Sequence, residues 1–246
     1  MKKLDLLVYT ILIAVLGVSN GVLAAVSLDR TRVIYDGDRK SITLTISNEN
    51  NQLPYLAQSW LEDENQKKIT TGPIIATPPV QRLEAGAKGV IQLTKTPTIN
   101  KLPQDRESLF YFNLREIPPK SEEANALQIA LQTKLKLFYR PESVIAKPNA
   151  VWQDQLILHK TSQGYRIENP TPYYITVIGL GDSEKSSRSN PFKVVMIAPK
   201  SFEDIKTAEK HPTVYLTYIN DYGGRPALAF HCDSNKCIAD KYSSKK

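Results

Sequence analysis

Cysteine and histidine, which often take part in catalysis or metal binding, are few in this chain, and its two cysteines lie close together. Cys232 and Cys237 are the only two cysteines in 246 residues, and His231 precedes the first of them. Thiols at this spacing can form a disulfide, or they can begin a metal site that includes the histidine. Four intervening residues and the lack of a convincing fourth ligand disfavour the metal. We therefore predict a disulfide and no metal site.

The three histidines give no sign of a catalytic centre. His159, His211 and His231 are scattered along the chain. His231 and Cys232 are adjacent, so on a strand their side chains point to opposite faces and cannot form a nucleophile–base pair. The sequence contains neither a nucleotide-binding glycine loop nor a helical metal motif. We expect a protein that is not an enzyme and uses neither a cofactor nor ATP.

The N-terminus has the pattern of a secretory signal peptide. Lys2 and Lys3 precede an apolar run from residue 6 to about 18, and small residues follow up to Ala24. The run is shorter than the roughly 20 residues that span a bilayer, so cleavage after Ala24 is favoured over a membrane anchor. Export to an oxidising compartment agrees with the predicted disulfide. The net charge of +7 is spread along the chain, which disfavours nucleic-acid binding.

Short strands separated by turns fill the rest of the sequence. Residues 41–47 alternate apolar and polar side chains and are rich in β-branched types, as in a half-buried strand. Residues 56–61 predict a second strand, with Trp60 for the core, and residues 109–114 a dense apolar strand that stops at two prolines. The polar residues 183–190 predict a loop. This spacing, without helical segments between strands, indicates an all-β sandwich fold.

Prolines mark a hinge between two domains. They occur at Pro141 and Pro148, where they end a strand and stiffen a short connector, and a new series of strands begins beyond them. We predict a signal peptide over 1–24, a first domain over 25–147 and a second domain over 148–246.

One segment, residues 124–139, fits two structures. It is rich in helix formers, yet alternation places Leu127, Ile129 and Leu131 on one side of a strand. A helix would leave Ile129 and Leu137 away from its main apolar stripe. The all-β surroundings favour the strand. From the residues alone, the favoured interpretation is that these apolar side chains fill the protein's own core.

Five stretches of the chain resemble the periplasmic pilus chaperones of the chaperone–usher pathway. They are AVSLDRTR at 25–32, QDRESLFYFNLREIPP at 104–119, LKLFYRP at 135–141, YRIENPTP at 165–172 and YINDYGGRP at 218–226. The resemblance covers nearly all of the chain after residue 24 and is weakest over 182–212 and the last ten residues. It implies two immunoglobulin-like β-sandwich domains that meet in an L-shape with an interdomain cleft.

The resemblance also implies a function and partners. Such a protein binds and stabilises pilus subunits that lack one strand, lends them its own strand by donor-strand complementation, and delivers them to an outer-membrane usher. It acts in the periplasm. In the free protein, a loop or self-association could cover the lent strand. A dimer in which this strand is capped is therefore one alternative for the free protein. The alternative is a secreted structural or adhesive pilus component built from similar domains.

Site residues follow from the resemblance, position by position. The side chains inserted into the subunit would be Leu127, Ile129 and Leu131. Arg32 and Lys136 would anchor the subunit's C-terminal carboxylate, and Lys136 has the strand parity opposite to the inserted residues. An interdomain charge network would fix the angle between the domains, formed by Glu107, Arg140 and Asp221. Without the resemblance, the sequence would indicate only that the charged residues of the anchor and of the network are ordinary surface groups.

Overall fold

The computed structural model describes residues 25–121, 125, 127–208 and 210–239. The predicted signal peptide over 1–24 lies outside these residues and stays a prediction. Ten strands belong to the first half of the chain: β1 Val26–Leu28, β2 Val33–Asp36, β3 Ser41–Asn48, β4 Tyr55–Glu62, β5 Lys68–Ile69, β6 Ile74–Thr77, β7 Val80–Leu83, β8 Lys88–Lys95, β9 Ser108–Ile117 and β10 Gln132–Arg140.

Eight more strands and one short α-helix form the second half. They are β11 Ile157–Thr161, β12 Gly164–Asn169, β13 Ile175–Gly181, α1 Glu184–Ser189, β14 Val195–Ile197, β15 Ser201–Lys206, β16 Thr213–Ile219, β17 Ala227–Cys232 and β18 Lys236–Ala239. Three 3-10 helices connect elements at Pro97–Lys101, Glu142–Val144 and Trp152–Gln155.

The first domain is a sandwich of two sheets. One sheet has the order β1-β3-β8-β6, and the other has the order β2-β10-β9-β4-β5, with β7 paired to β4. In β3 the side chains of Leu44 and Ile46 are fully buried between the sheets, while Thr43 and Thr45 point outward. This is the alternation that the sequence predicts for a strand with one buried face. The Thr77–Pro78 peptide bond, whose isomer the sequence leaves open, is cis.

The second domain is built from one continuous sheet of eight strands. Its order is β14-β13-β16-β17-β18-β11-β12-β15, and the sheet folds back so that β14 lies against β12 and β15. A separate core lies inside the fold, with Leu158, Tyr165, Ile167, Val214 and Phe230 among its buried residues. Two cores and almost exclusively β structure confirm the predicted fold class. The domain boundary at residue 147 stays a prediction.

Two sequence predictions are wrong. Trp60 does not enter the core, because the inward residues of β4 are Ala57, Ser59 and Leu61. Its ring lies on the outer face between Lys68 Nζ at 5.4 Å and Arg115 Cζ at 5.2 Å. Residues 183–190 are not a loop but contain α1, which begins with a capping box in which Ser183 accepts a hydrogen bond from the Ser186 amide.

Candidate functional site

Arg32 and Lys136 are brought side by side by a parallel strand pair. Strand β2 pairs with β10 in parallel, with Val33 beside Leu137 and Asp36 beside Arg140. Arg32 directly precedes β2, so it lies beside Lys136 in the same register. The two residues are 104 positions apart in the chain, and no local sequence pattern connects them. The structure therefore joins the two cations that the resemblance had paired.

Among the residues that the structure describes, no carboxylate forms an ion pair with either cation, although Asp221 and Glu107 attract Arg32 from a greater distance. Burial lowers the pKa of Lys136, and the neighbouring charge of Arg32 lowers it further. Burial also lowers the pKa of Arg32, against the attraction of Asp221 and Glu107. Within the described residues, Arg32 Nε is buried and has no hydrogen-bond partner. Two adjacent cations that already bear a burial cost form a site for an anion with several acceptor lone pairs, such as a carboxylate.

The strand β10 has one partly uncovered edge that leads to this cation pair. On one side β10 pairs with β9 along its length, from Gln132 opposite Arg115 to Tyr139 opposite Ser108. On the other side β2 covers only the four residues from Leu137 to Arg140. Over the described part of the chain, no strand pairs with that edge before Leu137. Its backbone groups are therefore available to another extended chain.

Residues 127–131 precede β10 and expose the predicted apolar side chains. Leu127 is 88% exposed, Ile129 60% and Leu131 37%, so none of them fills the protein's own core. The prediction of a regular strand over this segment is wrong, because β10 begins at Gln132. The ladder extends only one step further, where the Glu116 amide donates to the Leu131 carbonyl at 3.0 Å. Strand β9 ends at Ile117, so the residues before Leu131 lack a ladder partner among the described residues.

The predicted charge network lies at the junction of the two domains. Arg140 donates to Glu107 Oε1 from Nε at 2.9 Å and from Nη2 at 2.7 Å, and Nη2 also lies 3.1 Å from Asp221 Oδ2. Glu107 Oε2 accepts a hydrogen bond of 2.7 Å from the Tyr174 amide of the second domain. Glu107 and Arg140 are both almost fully buried. One guanidinium thus links carboxylates from both domains.

Aromatic residues complete the junction, and the sequence analysis missed them. The Arg140 guanidinium lies 5.1 Å from the Trp152 ring centre and 4.8 Å from that of Tyr173. Tyr173 also donates from its hydroxyl to the Val144 carbonyl at 2.8 Å. Phe138 of β10 packs against Tyr174 at 5.6 Å. The Tyr173–Tyr174 doublet after Pro172 is the sequence signal that could have suggested an aromatic junction.

Burial dominates the electrostatics of Glu107. It raises the pKa of this carboxyl to about 7, although the Arg140 charge and the Tyr174 amide act in the opposite direction. The ion pair with Arg140 therefore compensates only in part for the removal of a carboxylate from water.

A second cluster of charged and aromatic groups lies on the outer face of β4, β9 and β10. Lys134 Nζ lies 2.7 Å from Glu62 Oε2 and 5.6 Å from the Tyr111 ring centre. Trp60 Nε1 donates to Glu62 Oε1 at 3.1 Å. Lys134 is thus ion-paired, in contrast to Lys136 two residues further along the same face.

Other sequence predictions can be placed in the structure. The Cys232 and Cys237 sulfurs are bonded to each other, which confirms the disulfide. Among the residues that the structure describes, no three histidine, cysteine, aspartate or glutamate side chains come together as a group that could hold a metal ion. None of the helices in the described ranges is long and apolar enough to cross a membrane.

Two family sequence models match the two domains. Residues 25–145 match the family described as "Pili and flagellar-assembly chaperone, PapD N-terminal domain". Residues 151–230 match "Pili assembly chaperone PapD, C-terminal domain". The break between the two matches falls in the proline-rich connector.

Curated relatives and solved structures agree with these matches. The chaperone protein PapD of Escherichia coli is 66% identical over 224 residues, which is 91% of this chain and 93% of the relative. The chaperone protein PmfD of Proteus mirabilis is 47% identical over 90% of this chain and 89% of its own length. A solved structure of the Salmonella enterica SafA pilin in complex with the SafB chaperone matches with a TM-score of 0.71 and 26% identity, over 85% of this chain and 97% of that chain.

Fold, site and relatives together define a class, the two-domain β-sandwich chaperones of pilus assembly. This chain belongs to the PapD family of that class. It is a pilus-assembly chaperone, as the sequence analysis predicted, and the alternative of a structural or adhesive pilus component is set aside.

Proposed function

We propose that this protein acts in the periplasm, without catalysis, by lending a strand to pilus subunits that lack one. Residues 127–136 supply the lent strand, and Arg32 with Lys136 anchor the C-terminal carboxylate of the bound subunit. The observation that carries the proposal is the position of the cation pair, which lies where the uncovered edge of β10 ends. The unpaired backbone groups of β10 and the two cations thus follow one another along the same strand edge.

The anchor determines the direction of the bound strand. Its C-terminus lies at Lys136, and its preceding residues run back along the uncovered edge towards Leu127. A strand in this position has the same direction as β10, so the pairing is parallel. From Leu127 to Lys136 an extended chain covers about 30 Å. A shift of one residue would exchange the two faces of the lent strand, so the anchor also sets the register.

Apolar burial supports the same proposal. Leu127, Ile129 and Leu131 are exposed in the free protein, and each would stabilise the complex by up to about 2 kcal/mol when fully buried in a subunit groove. The entropy cost of association offsets a large part of this gain. The free energy of the complex therefore depends on the anchor and the backbone pairing as well as on the apolar contacts.

Release completes the proposed cycle. The subunit passes to an outer-membrane usher, and the free energy comes from subunit folding and strand exchange, with no need for ATP. When no subunit is bound, the exposed segment 127–131 is an aggregation hazard, and self-association into a capped dimer would cover it.

Calorimetric titration with the C-terminal peptide of a pilus subunit encoded nearby tests the anchor. We expect the peptide with a free C-terminus to bind, and the amidated peptide to bind at least about tenfold more weakly, because it lacks the charge that both cations contact. Arg32→Ala and Lys136→Ala should abolish the difference between the two peptides.

A matched control is available two residues before each cation of the anchor. Lys134→Ala and Arg30→Ala remove cations that are already paired, with Glu62 and Asp29 respectively. These variants should keep the preference for the free carboxylate. Equal binding of both peptides to the unaltered protein would contradict the anchor, whereas loss of the preference in the control variants would show a general charge effect.

A further inference from the structure

A turn of the second domain contacts the segment that carries Arg32. The turn covers residues 220–224, between β16 and β17, and we refer to it below as the junction turn. A Cβ atom placed on Gly223 would lie 2.5 Å from Thr31 Oγ1 and 3.8 Å from Thr31 Cβ, so the Gly223 backbone packs directly against Thr31. Because Thr31 directly precedes Arg32, the second domain touches the chain one residue away from the proposed anchor.

Hydrogen bonds fix the shape of the junction turn. The Asn220 amide donates to the Gly224 carbonyl at 3.0 Å, and Asn220 Oδ1 accepts from the amides of Tyr222 at 3.1 Å and Gly224 at 2.8 Å. The Gly223 amide donates to the Asn220 carbonyl at 3.0 Å. Gly223 has a φ of +81°, in the left-handed region that glycine adopts at no steric cost. The turn therefore presents Gly223 to Thr31 in a defined position.

The backbone around Arg32 has few other restraints. Arg32 lies in the segment between β1 and β2, just before the pairing of β2 with β10 begins. Over the described chain, the backbone of residues 30–32 makes no hydrogen bond with another backbone group. The packing of Gly223 against Thr31 is thus a restraint directly beside Arg32, in a stretch where the strand ladders supply none.

The junction turn contacts both strands that bear on the anchor. Its Asp221 Oδ2 lies 3.1 Å from Arg140 Nη2, and Asp221 also attracts the Arg32 guanidinium from a greater distance. Arg140 ends β10, four residues after Lys136. The turn thus meets the chain at the start of β2 through Gly223 and at the end of β10 through Asp221. One rigid turn of the second domain therefore links the two segments that carry the cations.

We propose that Gly223 is a positioning residue for carboxylate recognition: its contact with Thr31 holds Arg32 in place beside the second cation. This role rests on the anchor proposed above, and it makes the second domain a participant in recognition although both cations belong to the first. A change in the junction turn then alters the preference for a free C-terminus without removing either cation. Carboxylate binding and the docking of the two domains are also coupled, so that each strengthens the other.

The ratio of affinities for the free and the amidated subunit peptides tests this contact. Gly223→Ala places a methyl group 2.5 Å from Thr31 Oγ1, so we expect the ratio to fall by about fivefold or more. Thr31→Ala removes this oxygen and leaves the two Cβ atoms at an ordinary 3.8 Å, so adding it to Gly223→Ala should restore the ratio. Gly86→Ala is the matched control, because it carries the same kind of backbone strain, at a φ of +67°, in the turn between β7 and β8. It should leave the ratio unchanged.

A reversible cross-link tests the same contact within one variant. The 3.8 Å between the two Cβ positions suits a disulfide, so Thr31→Cys combined with Gly223→Cys should form one on oxidation. Reduction should then weaken binding of the free-carboxylate peptide by about fivefold or more, with the unaltered protein under the same conditions as the control. Failure of the cross-link to form, or an unchanged ratio in Gly223→Ala, would overturn the role of Gly223 alone. Equal binding of both peptides to the unaltered protein would overturn the anchor, and this role with it.

Discussion

Removal of Arg140 is the most informative test of the domain junction. The Arg140 and Glu107 side chains are 4% and 2% exposed, and Arg140 bonds to Glu107 twice and to Asp221 once. Arg140→Ala leaves Glu107 with the Tyr174 amide as its remaining hydrogen-bond donor. A buried carboxylate then stays in the protein without its cation.

The size of the effect follows from that unpaired charge. Breaking a buried ion pair by removal of one partner costs about 3–5 kcal/mol. Loss of the Arg140 contacts with the Trp152 and Tyr173 rings adds to this cost. We therefore expect Arg140→Ala to lower the free energy of unfolding by about 3–5 kcal/mol above pH 7.

The pH dependence has a definite sign. Burial already raises the folded-state pKa of Glu107 to about 7, above its ordinary value of 4.5, and loss of Arg140 raises this pKa further. The folded variant thus binds a proton more readily than its unfolded chain, so its stability falls as the pH rises from about 4.5 through the folded pKa. Destabilisation relative to the unaltered protein should be smaller at pH 5 than at pH 8.

Urea unfolding at pH 5 and pH 8 measures both quantities, and small-angle scattering reports the domain orientation. A second substitution, Glu107→Gln, removes the buried charge and should recover part of the stability lost in Arg140→Ala. Arg39→Ala, at an exposed position, should leave the unfolding midpoint unchanged. The reasoning fails if Arg140→Ala changes the free energy of unfolding by less than about 1 kcal/mol at pH 8, or if both scattering and stability are unchanged.

Three further predictions concern the lent strand, the anchor and α1. Ile129→Asp should weaken binding to a subunit by tenfold or more with an unchanged melting temperature, because this side chain is 60% exposed in the free protein; equal affinity by titration would contradict its burial in the subunit. Since burial and Arg32 lower the pKa of Lys136, a bound carboxylate should raise it again, so binding just below pH 10.5 should take up protons. Calorimetry in buffers of different ionisation enthalpy detects this uptake, which should be absent from Lys136→Met; a binding enthalpy that does not depend on the buffer would contradict it. Ser183→Ala removes the N-cap of α1 and should cost about 1 kcal/mol in urea unfolding, and no change would mean that the cap contributes nothing.

Local patterns predicted the strands well and the irregular features poorly. The alternation in residues 41–47 identifies β3 because one face of that strand is buried. Trp60 was misplaced because cations from neighbouring strands can shelter an aromatic ring on an outer face. Helix α1 was missed because its six residues are polar and its signal lies in the cap at Ser183. The strand predicted over 124–139 is longer than β10, because its partner β9 ends at Ile117 and leaves the residues before Leu131 without a ladder partner among the described residues.

The candidate site depends on contacts between distant parts of the chain. Arg32 meets Lys136 only through the parallel pairing of β2 and β10. Arg140 contacts both Glu107 and Asp221 only where the two domains join. Neither pairing has a periodicity that a single sequence displays, so these residues could be identified only through resemblance to a family. The aromatic groups around Arg140 had no such precedent and became visible only in the structure.

The short length of β2 gives the uncovered edge of β10, along which we propose that a subunit strand binds, one closed end and one open end. Strand β2 begins beside Leu137 and blocks any partner from advancing further, whereas nothing in the described chain limits the edge beyond Leu127. The register of a partner strand is then fixed by the position of its own C-terminus. Subunits of different strand length would align their last residues identically and differ only at the open end. One chaperone could in this way bind several subunits of a fibre, because differences in the length of their strands fall at the open end of the edge.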